Sequence, residues 1–401
     1  MELWQKIETA RRKIEKAILE TPMVHSDTLS KLTHAEVYLK LENLQKTGSF
    51  KIRGALYKLS RLSPRARGKG VVAASAGNHG QGVALAASLF GIRSTIVMPE
   101  GASIAKQMAT RAYGGEVVLF GQNMDEALLY ARRLQEDGRS FIHPFDDEDV
   151  IAGQGTIGSE ILREVPGVET IVVPVGGGGL ISGIAAIVKK RRPKVKIVGV
   201  QSANAPSAFE SFRQKKIVEV ELKPTLADGI ALRRVGEIPF SMMRKNVDEM
   251  VTVQDEEIAL ATLTLMERKR VVAEGAGAAP LAALLSGRYR AAGKKVVLVI
   301  SGGNIDLHLL DRILEKGLSQ TGRVVRLGVL LKDVPGALAE LSGLIGRIKA
   351  NILHIIHERA ARDIPIGYSR VILVLESRGP DHIREIKGEL KRKGYTLQRM
   401  S

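Results

Sequence analysis

Residues 170–180 read Thr170-Ile171-Val172-Val173-Pro174-Val175-Gly176-Gly177-Gly178-Gly179-Leu180. The apolar, β-branched run predicts a strand over 170–174, and the pattern that follows predicts a helix over 180–191. Between them stand four glycines. Glycine has no side chain to pack and loses the most backbone freedom on folding, so such a run needs a compensating gain. Backbone N–H groups at the mouth of a helix supply one by closing around a phosphate or carboxylate. The stretch is not a useful GxGxxG dinucleotide fingerprint, and no acidic residue closes the following strand where a ribose would want it. It points to a parallel α/β sheet with an anion cradle at a strand's carboxyl end.

The same alternation extends outward. Short apolar runs predict strands over 37–41, 70–74, 94–98, 116–119, 196–200 and 295–300. Helical patterns fall over 78–90, 103–113, 124–135, 151–163, 255–270 and 274–285. Nearly continuous apolar strands alternating with helices predict parallel sheets covered on both faces. The charged stretch 143–148 marks a crossing between two lobes, the smaller one covering about residues 40–146. Composition shifts at Glu315–Arg323 (EKGLSQTGR), which reads as a linker. Beyond it come a strand over 324–331, a helix over 335–348, strands over 351–358 and 367–375, a helix over 381–392 and a strand over 395–399. That order, βαββαβ, is ferredoxin-like. The expected organisation is a catalytic domain over 1–316, a linker over 317–322 and a second domain over 323–401.

Of the 401 residues 44% are hydrophobic and 26% charged, a globular rather than a disordered balance. The absence of cysteine excludes disulfides, thiolate metal sites and cysteine nucleophiles. Residues 1–19 carry scattered charges and no apolar core, and no run suits a membrane span, so a cytoplasmic protein is expected. The net charge of +17 raises the question of nucleic acid. The densest basic runs, at 189–192 and 391–393, end predicted helices, where cations suit the dipole, and no aromatic residues interleave with them. Small anions are the better match, with no nucleic acid and no membrane as partners.

Three further segments carry chemistry. Thr47-Gly48-Ser49-Phe50-Lys51-Ile52-Arg53-Gly54 puts a lysine where a loop meets a helix. A helix N-terminus and burial both disfavour its ammonium, and a neutral amine is what bonding to a carbonyl requires. Ser75-Ala76-Gly77-Asn78-His79-Gly80-Gln81-Gly82 follows a strand and opens a helix, a second anion site. Ser301-Gly302-Gly303-Asn304 follows the strand at 295–300 and puts a hydroxyl at the sheet's carboxyl edge.

Taken in order, TGSFKIRGA, SAGNHGQGVA, GGGGL and SGGN resemble the fold-type II pyridoxal-phosphate enzymes, and more narrowly the threonine/serine dehydratases. Residues 150–158, Leu226-Ala227-Asp228-Gly229 and Glu274-Gly275-Ala276-Gly277-Ala278 share in the resemblance, which covers nearly all of 5–316. It implies that Lys51 bonds the aldehyde of pyridoxal 5′-phosphate, that Phe50 packs beside the ring and that Asn78 bonds the phenolic oxygen. Gly176, Gly177, Gly178, Gly179 and the N–H of Leu180 would hold the phosphate. Ser301 would face the pyridine nitrogen, and its neutral hydroxyl would leave that nitrogen unprotonated, favouring prompt loss of a β-hydroxyl. Ser75, Asn78 and His79 would sit by the substrate carboxylate. The implied reaction turns L-threonine into 2-oxobutanoate and ammonia, and L-serine, secondarily, into pyruvate.

The resemblance also narrows the choice. Serine racemases are similar but carry a serine at the position of Ala76, so weak racemisation is expected here. They also have acidic residues at the positions of Gln201 and Ser207, so no divalent metal is expected. The segment 331–341, LKDVPGALAEL, resembles an ACT domain. It implies amino-acid regulation or assembly through Asp333, Pro335, Gly336 and Leu338, in a homodimer or homotetramer. A β-replacing synthase of the same fold and a basic nucleic-acid-binding protein are the competing readings.

Overall fold

A computed structural model describes residues 1–360 and 362–398. Two compact units divide near residue 310: residues 1–310 and residues 311–401.

In the first unit the apolar runs become buried strands. One sheet contains β1 (Met23–His25), β2 (Glu36–Leu41), β7 (Thr170–Pro174), β8 (Lys196–Ser202), β9 (Glu249–Val253) and β10 (Lys295–Ile300), in the order β1-β2-β10-β7-β8-β9. All its neighbours are parallel except β1 with β2. A second, parallel sheet holds β3 (Val71–Ala74), β4 (Ser94–Met98), β5 (Glu116–Leu119) and β6 (Ser140–Phe141), in the order β5-β4-β3-β6. Every residue of β4 and β7 is buried, as expected of parallel strands covered by helices on both faces. The chain leaves the small sheet at β6 and re-enters helix at Glu148.

The helix Glu148–Glu164 runs between Lys51–Ser60 and Gly179–Arg191. A Cβ on Gly153 would lie 2.4 Å from the carbonyl oxygen of Arg53, and one on Gly183 would lie 2.5 Å from that of Ile151. Glycine at these crossings lets the backbones touch, which accounts for small residues in the 150–158 motif.

The second unit has one antiparallel sheet of β11 (Val324–Lys332), β12 (Asn351–Glu358), β13 (Tyr368–Glu376) and β14 (Thr396–Gln398), in the order β12-β13-β11-β14. Two helices, Ala337–Arg347 and Pro380–Arg392, complete the βαββαβ order, with a core that includes Val329, Leu341, Leu373 and Ile386.

Several boundaries shift by a few residues, and three differences from expectation stand out. The linker read at Glu315–Arg323 is largely helix, because Leu307–Gln320 continues its apolar face through the buried Ile313 and Gly317. Pro335 precedes its helix rather than opening it: Gly336, at φ +91°, is the N-cap of Ala337–Arg347. The last strand ends at Gln398, and Arg399 lies outside the described residues.

Candidate active site

Parallel strands deliver their following loops to one edge. β7 ends in the glycine run, β10 in Ser301 and β3 in Ser75, and all three loops line one cleft of about 370 Å³. Phe50, Lys51, Ser75, Asn78, His79, Gly176, Gly177, Gly178, Gly179, Leu180 and Ser301 all line it. The sequence-predicted cofactor and substrate residues are therefore brought together. Asp333, Pro335, Gly336 and Leu338 lie instead at the β11–helix junction of the second unit, where the Arg359 guanidinium donates to Asp333 Oδ1 at 3.1 Å.

Lys51 is placed by its preceding loop. Phe50 N donates to the Ser301 carbonyl at 3.1 Å, and Gly303 N donates to the Gly48 carbonyl at 2.9 Å. Gly48 has φ +69°, and a Cβ there would sit 2.2 Å from Asn304 Oδ1, so only glycine allows this closure. Lys51 is then the first residue of the helix Lys51–Ser60, and its Nζ donates to the Pro144 carbonyl at 3.0 Å. Burial lowers its pKa to about 8, against an opposing pull from Glu274. Lys106 also lines the cleft but is driven the other way. Burial opposes its charge, yet Asp228 and Asp306, 3.5 and 3.1 Å away, outweigh it and hold the pKa above the ordinary value. Of these two amines, Lys51 is the one ready to lose its proton.

The glycine run has the geometry of an anion cradle. Gly178 is the N-cap of Gly179–Arg191, at φ +90°, with no side chain capping the helix. The first N–H groups of a helix lack intrahelical partners, so they are free for an anion. A Cβ on Gly177 would come 2.3 Å from the Phe145 ring, and one on Gly179 would come 2.9 Å from Gln154 Oε1. The cradle thus has room for backbone but not for side chains. A phosphate held by N–H groups, beside an amine with a lowered pKa, fits pyridoxal phosphate.

Asn78 opens the helix Asn78–Leu89 with its amide held at both ends. Its Nδ2 donates to both oxygens of Glu274 at 2.9 Å, and its Oδ1 accepts from Asn304 Nδ2 at 2.7 Å. His79 Nε2 bonds the Ile142 carbonyl at 2.8 Å, and burial pushes the ring's pKa down to about 3, so the imidazole is neutral. At Gln201, Oε1 accepts from Ala208 N and Phe209 N at 2.9 and 3.0 Å, so this side chain serves the start of the helix Ser207–Gln214.

Two features escaped the sequence reading. Glu274 lay inside a recognised motif without a role. Its carboxyl is buried in the cleft wall; burial first, then Asp228, raises its pKa to about 7. The second is an ionic cluster beside the site. Arg53 donates to Glu42 through Nε and Nη2 at 2.8 Å each and to Glu160 Oε2 at 2.9 Å. Lys40 reaches Glu160 and Glu164 at 2.8 and 3.0 Å.

Comparison with known proteins agrees with this geometry. The chain is 51% identical over 393 residues to an L-threonine ammonia-lyase of Thermotoga maritima, covering 98% of each chain. Among solved structures, the processed threonine deaminase isoform 2 of Solanum lycopersicum superposes with a TM-score of 0.75 at 38% identity, over 78% of this chain and 93% of that one. Maize serine racemase gives a TM-score of 0.74 at 34% identity, over 79% and 98%. The family model described as "Pyridoxal-phosphate dependent enzyme" matches residues 14–302, which contain every strand of both sheets in the first unit. The chain belongs to that family.

Proposed function

We propose that this chain is a threonine ammonia-lyase that also accepts L-serine. The observation that carries the reading is the convergence of Lys51, Asn78, the glycine cradle and Ser301 on one cleft, with the Lys51 amine alone among its two lysines lowered in pKa. Pyridoxal phosphate, bound there, supplies an electron sink for the pair left when Cα loses its proton. The N–H groups of Gly176 to Leu180 hold its phosphate. Phe50 packs beside its ring, Asn78 donates to its phenolic oxygen and Ser301 offers the pyridine nitrogen a neutral hydroxyl. The Lys51 amine takes the Cα proton as a general base. The helix opening at Ser75 and Asn78 receives the substrate carboxylate, with the neutral His79 against it. The β-hydroxyl leaves as water, and water returns when the C–N bond hydrolyses, so threonine yields 2-oxobutanoate and ammonia.

Ala76 lines the cleft without a hydroxyl, which supports elimination over racemisation. The test is release of 2-oxobutanoate from threonine alone, with no second substrate, by the cofactor-loaded protein. The expected outcome is turnover that Lys51→Ala abolishes and a D-serine yield from L-serine far below the pyruvate yield. Undiminished release by Lys51→Ala overturns the reading, and a need for a second nucleophile favours a β-replacing synthase.

The second unit is ACT-like, with Asp333, Pro335, Gly336 and Leu338 as its ligand-binding or assembly segment, in a cytoplasmic homodimer or homotetramer. Its βαββαβ strand order supports the ACT-like reading of the unit. Light scattering with and without isoleucine or valine, alongside turnover, tests it; a monomer with unchanged kinetics in each case contradicts it.

A further inference from the structure

We propose that Glu274 is a positioning residue that acts through Asn78, fixing which face of the asparagine amide the cleft presents to the cofactor ring. The inference rests on the reading that this cleft holds pyridoxal phosphate.

Glu274 is the N-cap of the helix Gly275–Leu285, where a carboxylate ordinarily accepts from the first helical N–H groups. It makes no such bond. The residue is 6% exposed, and its side chain turns instead to a residue 196 positions away and accepts from Asn78 Nδ2 with both oxygens, each at 2.9 Å. Burying a carboxylate costs free energy unless it is well partnered, so this choice of partner is specific. Gly302 makes the approach possible: a Cβ there would lie 2.6 Å from Glu274 Oε1 and 3.2 Å from Asn78 Nδ2.

The result is a fixed polarity. An asparagine amide is nearly symmetric in shape, with a donor on one arm and an acceptor on the other. An ionised carboxylate only accepts, so it holds the Nδ2 arm. The Asn304 amide donates, so it holds the Oδ1 arm at 2.7 Å, and the same Asn304 Nδ2 donates to the Thr47 carbonyl at 2.7 Å, just before Lys51. Both carboxylate oxygens lie on one side of Nδ2, so one N–H serves them and the other is left for the cleft. A flipped amide would put a carbonyl oxygen against Glu274 and repel it. Lys51, Lys106 and Asp228 are the charged groups that act on Glu274, the lysines favouring its ionised form and Asp228 opposing it. Burial sets the balance near neutral pH, where protonation turns one oxygen into a donor and loosens the hold on Asn78.

The test uses cofactor-loaded wild type, Glu274→Gln, Asn78→Ala and the double variant. The readouts are the pH titration of the visible absorption band and the Kd for pyridoxal phosphate by equilibrium dialysis, with a melting curve to confirm folding. In wild type a step in the band near pH 7 is expected. Glu274→Gln, equal in size, removes the step and weakens cofactor binding about tenfold, the scale of one hydrogen bond to a charged group. Because Glu274 acts through Asn78, it adds no further loss in the Asn78→Ala background. An unchanged titration and Kd in Glu274→Gln, or additive losses in the double variant, overturns the inference. Absence of a visible band in wild type overturns the underlying reading instead, so the two failures are distinguishable.

Discussion

Lys51 and Arg53 stand two residues apart on one helix, and their surroundings drive them in opposite directions. The Lys51 ammonium has a carbonyl at 3.0 Å and, among the described residues, no carboxylate within ion-pair distance, and burial lowers its pKa to about 8. Arg53 is the more deeply buried of the two, yet Glu42 and Glu160 grip its guanidinium from two sides and outweigh the cost of burial, so its charge is locked. Burial alone therefore does not decide whether a cation is kept. The number of carboxylates within reach does. The helix sets the reactive amine on one face and anchors itself by the other, tying together β2, the helix Lys51–Ser60 and the helix Glu148–Glu164.

The largest expected effect breaks the anchored side. Arg53→Met leaves Glu42 buried without its ion partner and Glu160 with Lys40 alone, and is expected to destabilise the fold by about 3–5 kcal/mol, measured by urea denaturation. Arg53→Lys recovers only part of that, since an ammonium cannot grip two carboxylates with a planar fork. A loss below about 1 kcal/mol for Arg53→Met would show that the cluster is no anchor. On the reactive side, Gly177→Ala drives a Cβ into the Phe145 ring and disturbs the cradle. It is expected to cost about 1–3 kcal/mol of stability and to raise the Kd for pyridoxal phosphate at least about tenfold, the free energy of one good contact. Near-wild-type dialysis values would contradict the assignment of the cradle.

A smaller effect comes from the pH dependence of the cofactor-free protein. Between about 8 and the ordinary lysine value, the unfolded chain binds a proton at Lys51 that the folded chain does not. Stability contributed through Lys51 therefore rises with pH across that window, and Lys51→Met flattens the slope by an amount on the order of 1 kcal/mol per pH unit. A slope unchanged by the substitution would place the amine in ordinary solvent. The smallest effect belongs to exposed pairs such as Arg384 with Asp381, whose side chains are 75% and 89% exposed. Arg384→Ala is expected to change stability by less than about 0.5 kcal/mol, completing the contrast with Arg53.

Much of this was legible along the chain. β4, β7 and β10 fall where β-branched runs predict them, because a strand buried on both faces has little choice of composition. The glycine loop between β7 and its helix was legible because a strand, four glycines and a helix form a local pattern. Arg53 was not: its partners Glu42 and Glu160 lie 11 and 107 residues away, and each looks in isolation like a solvated charge. Glu274 was hidden for the same reason, since its bond to Asn78 spans 196 residues. The linker was misread because EKGLSQTGR is polar by composition, whereas its register continues the apolar stripe of the preceding helix through Gly317. β1 and β9 escaped notice: β1 is three residues long, and β9 lies at the sheet's edge with only Met250 and Val253 buried.

Borohydride reduction of the cofactor-loaded protein, followed by peptide mass mapping, tests the central claim most directly. The reduced bond makes the modified lysine permanent and identifiable. The pyridoxyl group is expected on the peptide that contains Lys51, with Lys106 unmodified. Label on Lys106, or on no lysine of the cleft, would contradict it.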